Sequence, residues 1–112
     1  MTTSPTNCAI ARTMQILGGK WTMLIVRDLL QHSCRFSELE HSLIGISPRT
    51  LATRLKELEL DGIVARDFSS RHPIYCLTDR GTALYAILEQ LKVWGSPLIS
   101  SAPLAASQLN KK

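Results

Sequence analysis

Residues Gly45 to Gly62, GISPRTLATRLKELELDG, carry the clearest punctuation in the chain. Gly45 makes a turn, Ser47 offers a capping hydroxyl, and Pro48 stands at the first helical position, where its missing N–H costs nothing. Leu51, Leu55 and Leu58 follow at i, i+4 and i+7 and so share one face, until Asp61-Gly62 stops the helix. The opposite face holds Arg49, Thr53, Lys56 and Glu57, flanked by Thr50 and Arg54. One side of this helix is built for a core, and the other fits either a partner or an ordinary solvated surface.

Working outward, Phe36 to Leu43 reads as a short helix with Ser37 in its first turn and Leu39 and Leu43 as anchors. The tight IGIS turn joins it to the capped helix, and two helices so joined form a helix-turn-helix. Beyond Gly62 the period changes. IVARDF and IYCLT are short β-branched and aromatic runs separated by SSRHP, a hairpin whose loop is too long for a two-residue turn. A ribbon directly behind a helix-turn-helix predicts a winged helix-turn-helix, mainly α with a small β-hairpin.

The ends supply three more elements. Asn7 predicts a cap for a helix from Cys8 to about Leu17, with Ile10, Met14 and Leu17 at helical spacing and Gly18-Gly19 as its stop. A second helix is expected from Lys20 to about Gln31, with Trp21, Leu24, Ile25 and Leu29 inward and Arg27 and Asp28 toward solvent. HSCR is a short extended link. Thr78 caps a last helix from Asp79 to about Trp94, whose stripe is Leu84, Ile87, Leu88, Leu91 and Trp94. That stripe and the one on the first helix fit either a core or a dimer seam. The expected organisation is a disordered N-terminal tail over 1–7, one domain over 8–94, and a flexible or partner-docking tail over 95–112. No internal repeat is evident.

The totals agree with one small domain. The chain has 112 residues, 45% of them hydrophobic, which allows a modest core without staples. A net charge of +4 suits a polyanionic partner, while 5% aromatics argues against a stacking platform for single strands. Met1 to Asn7 has no leader pattern and no apolar run approaches the ~18 residues of a membrane span, so the sequence predicts a cytoplasmic protein without a membrane partner.

Several chemistries find no footing. His32, His41 and His72 are scattered, with no HxxxH or HExxH spacing, and no glycine-rich phosphate loop follows a strand. Cys8, Cys34 and Cys76 form no CxxC pair. The sequence predicts neither an enzyme nor a metal or cofactor site. Double-stranded DNA is the better fit. Ser47 and the first-turn N–H groups suit a phosphate, Arg49 a guanine edge, and Thr50 and Thr53 a base or a thymine methyl, with Arg54 and Lys56 beside them. On the wing Arg66, Ser70, Arg71 and His72 can reach phosphates or the adjacent minor groove. Cys8 poses a separate question, because a helix N-terminus and Arg12 one turn away would both favour its thiolate. Cys76 is expected to face inward. Cys34, in the link, could pair only with a thiol the fold brings near.

These residues match a known pattern. CAIARTMQILGGKWTMLIVRDLL, RFSELEHSLIGISPRTLATRLKELELDGIVAR and IYCLTDRG, in that order over Cys8 to Trp94, closely resemble the HxlR-type bacterial transcription regulators, winged-helix proteins related to the MarR group. SSRHPIY departs from it, lacking the acidic residue and valine that often precede the tyrosine. The resemblance implies a homodimer through the first and last helices, with Ile10, Met14, Leu84, Ile87, Leu88, Leu91 and Trp94 in the seam. It also implies that Ser47 to Thr53 enter successive major grooves of a palindromic operator. In a subset of the family, the cysteine matching Cys8 senses quinones, other electrophiles or oxidants. Two alternatives stay open: a small-ligand-gated regulator with structural cysteines, and a protein-interaction module that does not bind DNA.

Overall fold

A computed structural model gives the structure of the protein, described for residues 7–100. Its centre is the capped helix, α4, spanning Pro48–Leu60. The Ser47 hydroxyl accepts the Thr50 N–H at 3.0 Å, satisfying one of the orphan donors that every helix start leaves. At the other end the Gly62 N–H reaches the Glu59 carbonyl and the Ile63 N–H the Leu58 carbonyl. This pair of closing bonds needs a left-handed residue between them, and Gly62 supplies it at φ 76°. Leu51, Leu55 and Leu58 are at most 1% exposed, each contributing roughly 1.5–3 kcal/mol by burial.

Around α4 stand α1 (Ala9–Leu17), α2 (Thr22–Gln31), β1 (Cys34–Arg35), α3 (Phe36–Ser42), β2 (Val64–Asp67), β3 (Ile74–Leu77), α5 (Asp79–Thr82) and α6 (Tyr85–Ser100). Ile25, Val26 and Leu29 of α2, Leu39 of α3, and Leu43 and Ile46 of the turn join the leucines in one core. Gly45 turns at φ 94°, and the Trp21 ring lies close beside it. Mainly helical with a small antiparallel sheet, this is the expected winged helix-turn-helix.

Several local expectations change. The HSCR link contains a strand: β1 pairs antiparallel with β3, Cys34 opposite Tyr75 and Arg35 opposite Ile74, so the sheet has three strands in the order β1-β3-β2. Asn7 does not cap α1. Cys8 itself occupies the cap position in extended geometry, with no side-chain cap bond. Lys20 and Trp21 form a turn, and α2 begins at Thr22, buried because its hydroxyl donates to the Gly18 carbonyl at 2.9 Å. Asp28, expected in solvent, has a side chain only 12% exposed, and the Arg27 guanidinium holds its Oδ1 at 2.9 Å.

The last helix divides and then overruns its expected end. Thr78 caps α5 through the Gly81 N–H, and a tighter step at Ala83-Leu84, where the Leu84 N–H bonds the Gly81 carbonyl, leads into α6. A Cβ on Gly81 would lie 2.4 Å from the Ile63 carbonyl, so α5 starts in backbone contact with the end of the recognition unit. Helix α6 continues through Gly95 and Pro97 to Ser100, which removes 95–100 from the expected tail. Their finite costs, about 1 and 3 kcal/mol, do not by themselves end a helix, and the Ser96 hydroxyl bonds the Lys92 carbonyl at 2.7 Å there. The expected tails over 1–6 and 101–112 lie outside the described residues. Among the described residues no helix is long and apolar enough to cross a membrane.

Candidate nucleic-acid interface

With its leucines sealed inward, α4 turns Arg49, Thr53 and Lys56 outward at the same i, i+4, i+7 spacing. Their side chains make no hydrogen bond or ion pair among the described residues, so their donors are available to a ligand. Ser47 and Thr50 are joined to each other, the Ser47 hydroxyl donating to Thr50 Oγ1 at 2.9 Å; the Thr50 hydroxyl keeps its own proton to give. Arg54 is different. Its guanidinium is paired with Glu57 one turn along, so part of the charge expected to serve DNA is neutralised on the helix.

The wing loop runs from Phe68 to Pro73 between β2 and β3, with Val64 opposite Leu77 and Asp67 opposite Ile74. Its start is pinned by Asp67, whose carboxylate accepts the Ser69 N–H at 2.8 Å. That bond holds the Asp67 carboxyl below its ordinary value of 3.8. The Ser70 hydroxyl closes the far side by donating to the His72 carbonyl at 2.7 Å. The Arg71 guanidinium and the His72 ring are exposed and have no partner among the described residues.

Arg66, expected on DNA, is committed elsewhere. Its guanidinium pairs with Glu59 near the end of α4 and lies 4.9 Å from the centre of the Phe68 ring. Glu59 is largely covered, so the pair ties the wing strand to the recognition helix. Sequence reasoning found the cation but missed Glu59 and Phe68. The signal was present: an acid at the end of one element and a cation at the start of the next, seven residues apart across a glycine turn.

Residues 16–102 match the model of the HxlR-like helix-turn-helix family. The chain belongs to that family. It is 45% identical over 91 residues to an uncharacterized HTH-type transcriptional regulator, YvaP, of Bacillus subtilis (strain 168), covering 79% of this chain and 84% of the relative. To the HTH-type transcriptional regulator YodB of the same strain it is 40% identical over 82 residues, 70% of this chain and 73% of the relative. Among solved structures, the redox regulator HypR in its reduced form superposes with a TM-score of 0.76 at 32% identity, covering 80% of this chain and 92% of that one. Quinone-bound YodB gives 0.70 at 36% identity over 79% and 96% of the two chains. The protein is thus a transcription regulator of the HxlR-like class.

The thiols of this HxlR-like chain occupy three settings. Cys8 is half-buried at the cap of α1, and its carbonyl accepts the Arg12 N–H at 2.9 Å. The Arg12 guanidinium, expected beside the thiol, instead donates to Gln15 at 2.9 Å, toward the far end of the helix. Cys34 is buried on β1 with its thiol 3.4 Å from the His32 carbonyl. Burial, then the charges of Glu38 and Asp28, push that thiol above its ordinary value of 9.0. Cys76, expected inside, is only half-buried, with its thiol 3.8 Å from the Ala65 carbonyl. No two of them are bonded.

The expected seam separates into two sets. Leu84 and Leu88 belong to the chain's own core. Ile10 and Met14 of α1, with Ile87, Leu91 and Trp94 of α6, are exposed, Ile10 at 75% and Trp94 at 76%. Val93, Leu98 and Ile99 of α6 are exposed as well. Among the described residues no group of three or more His, Cys, Asp or Glu could hold a metal.

Proposed function

We propose that this protein is a homodimeric, sequence-specific DNA-binding regulator that sets the start of α4 in the major groove and the wing tip on the flanking backbone. The observation that carries this reading is the outward row Arg49, Thr53 and Lys56, unpaired on a helix whose other side is sealed. Arg49 gives a bidentate pair to a guanine edge. Ser47, Thr50 and the first-turn N–H groups take a phosphate, and Arg71 and His72 bind backbone from the wing. Arg54 and Arg66 act chiefly through Glu57 and Glu59, as supports for those groups. The second copy joins through α1 and α6, and a two-fold pair of modules matches a palindromic site. Residues 8–100 form the working unit, in the cytoplasm with its DNA, and the protein performs no catalysis.

Arg49→Ala lowers preference at one base pair of the operator by about 1–3 kcal/mol, whereas Arg71→Ala weakens binding to all sequences and flattens the salt dependence. Binding that does not change with salt overturns the phosphate assignments.

Cys8 is the proposed sensor. HypR and YodB, the one named a redox regulator and the other solved with a quinone bound, support a thiol switch in this chain. The Cys8 thiolate adds to a quinone ring carbon, forming an S–C bond; one quinone oxygen takes a proton from water, the C–H bond at the attacked carbon breaks and its proton passes to the other oxygen, giving a hydroquinone thioether. Modification at the cap of α1 alters how that helix lies in the seam, and the two recognition helices lose register. In a gel shift, wild type releases DNA on treatment with a quinone or diamide and Cys8→Ser does not. Equal release by both makes Cys8 structural.

A further inference from the structure

We propose that the cleft between the first turn of α3 and the root of the wing is an additional DNA-backbone site, in which Arg35, Ser37, His72 and Tyr75 hold one phosphate. The inference rests on the DNA-binding reading and adds to it a contact surface off both the recognition helix and the wing tip. The cleft measures about 380 Å³ and is lined by Arg35, Phe36 and Ser37 on one wall and His72, Pro73 and Tyr75 on the other. Its two walls are fixed to each other by the β1–β3 pairing, which sets Arg35 opposite Ile74 and Cys34 opposite Tyr75. A strand of only two residues therefore has a use: it brings the start of α3 against the wing.

The lining has the chemistry of a phosphodiester subsite. It offers a guanidinium, an imidazole and two hydroxyls, and none of its six residues is acidic. The Arg35 guanidinium enters no ion pair among the described residues. Glu38, the nearest acid in sequence, spends a carboxylate oxygen on the Arg35 backbone N–H at 2.7 Å. Phe36 and Pro73 give flat apolar walls of the kind a deoxyribose packs on. Tyr75 also lines the neighbouring cleft with Ala52, Lys56, Glu59 and Arg66, so the site adjoins α4.

The occupant is a phosphate of the duplex and not a free anion. Arg35, Ser37 and His72 are exposed, and water competes with any small ion held by such groups. A phosphate on a duplex already held by α4 arrives at high effective concentration and needs little intrinsic affinity. His72, counted on sequence as a wing-tip residue, thereby belongs to the wing root.

The test uses the full chain and a fluorescent mixed-sequence duplex of about three helical turns, because a backbone contact is independent of sequence. Affinity is measured against salt concentration. Wild type gives a steep slope; Arg35→Ala lowers affinity on all duplexes alike and makes the slope shallower by about one. Arg35→Lys keeps the slope, and Lys92→Ala, which removes a charge from α6, leaves it unchanged. An Arg35→Ala slope equal to that of a salt-dependent wild type overturns the site while leaving DNA binding intact. A wild type with no salt-dependent binding overturns the DNA reading itself, and this site with it. Millimolar inorganic phosphate that stabilises wild type but not Arg35→Ala in a thermal melt, with the slope untouched, makes the cleft a small-anion site and overturns the proposal. Should Arg35→Ala lower the melting temperature, Ser37→Ala with Tyr75→Phe takes its place: weaker binding at unchanged slope supports the site, and unchanged binding overturns it.

Discussion

Helices α4 and α6 each carry a row of large apolar side chains, and the fold treats the rows oppositely. On α4 the row Leu51, Leu55 and Leu58 is sealed as α2, α3, β2 and the turn close around it, and Leu60 at the last position is exposed. On α6 only Leu88 reaches the core, and Ile87, Leu91, Val93, Trp94, Leu98 and Ile99 stay in solvent. The α4 row is as wide as the core it fills. The α6 row is wider than anything one chain supplies to cover it, and Ile10 and Met14 on α1 are left over in the same way. Exposed apolar surface on this scale marks an interaction face. One helix therefore spends its hydrophobicity on folding and the other holds its own in reserve.

The largest effect expected from this contrast is on stability. Leu55→Ala should cost about 2–5 kcal/mol by loss of burial and an unfilled cavity. Leu91→Ala removes the same atoms from an exposed site and should cost less than about 0.5 kcal/mol in the unassociated chain. Urea melts of both, at low protein concentration, read the difference; equal losses would break the comparison. Next comes assembly. Leu91→Glu should leave a folded monomer by sedimentation and lower operator affinity by about 10²–10⁴-fold, the advantage of linking two modules. A dimer that survives this change would move the seam elsewhere.

Smaller effects sharpen the α4 side. Ser47→Ala should destabilise by about 1 kcal/mol through loss of the cap, again read by denaturant melt. Arg66→Ala should change stability by about 1 kcal/mol, the upper end for surface pairs, because Glu59 is largely covered. Because its charge is taken by Glu59, it should leave the salt slope of DNA binding unchanged, in contrast to Arg71→Ala. Last, iodoacetamide should label Cys34 more slowly than Cys8 in the native protein. The raised Cys34 value means the unfolded chain ionises first, so any stability linked to this group is constant below pH 9.0 and falls as pH rises above it. Equal labelling rates at pH 8 would remove Cys34 from the interior.

Much of this was legible because it is local. The cap at Ser47, the proline after it, the leucine spacing and the stop at Gly62 need only neighbours in sequence, and the bounds of α4 follow from them. What escaped depends on distant partners. Two residues, Cys34 and Arg35, are too few to show a period, and only Ile74 and Tyr75 make them a strand. The stripe on the last helix reads as one feature, yet Leu88 turns into the core and Ile87, one residue round the helix, stays in solvent. Arg66 and Arg12 read as available cations until Glu59 and Gln15 are placed beside them. The outward position of Arg49, Thr53 and Lys56 could be read from sequence, since exposure opposite a sealed stripe is again a local property.

Thr78 sits at the junction between these two helices. Its hydroxyl donates to the Gly62 carbonyl at 2.6 Å and accepts from the Gly81 N–H, and its backbone N–H reaches the Ile63 carbonyl at 3.0 Å. With Gly81 against Ile63 as well, the end of α4 and the start of α5 are joined at several points. The joint works as a weld more than a hinge. In the proposed dimer, a twist applied to α6 would pass directly to the end of α4, and sensing and release would need no separate relay.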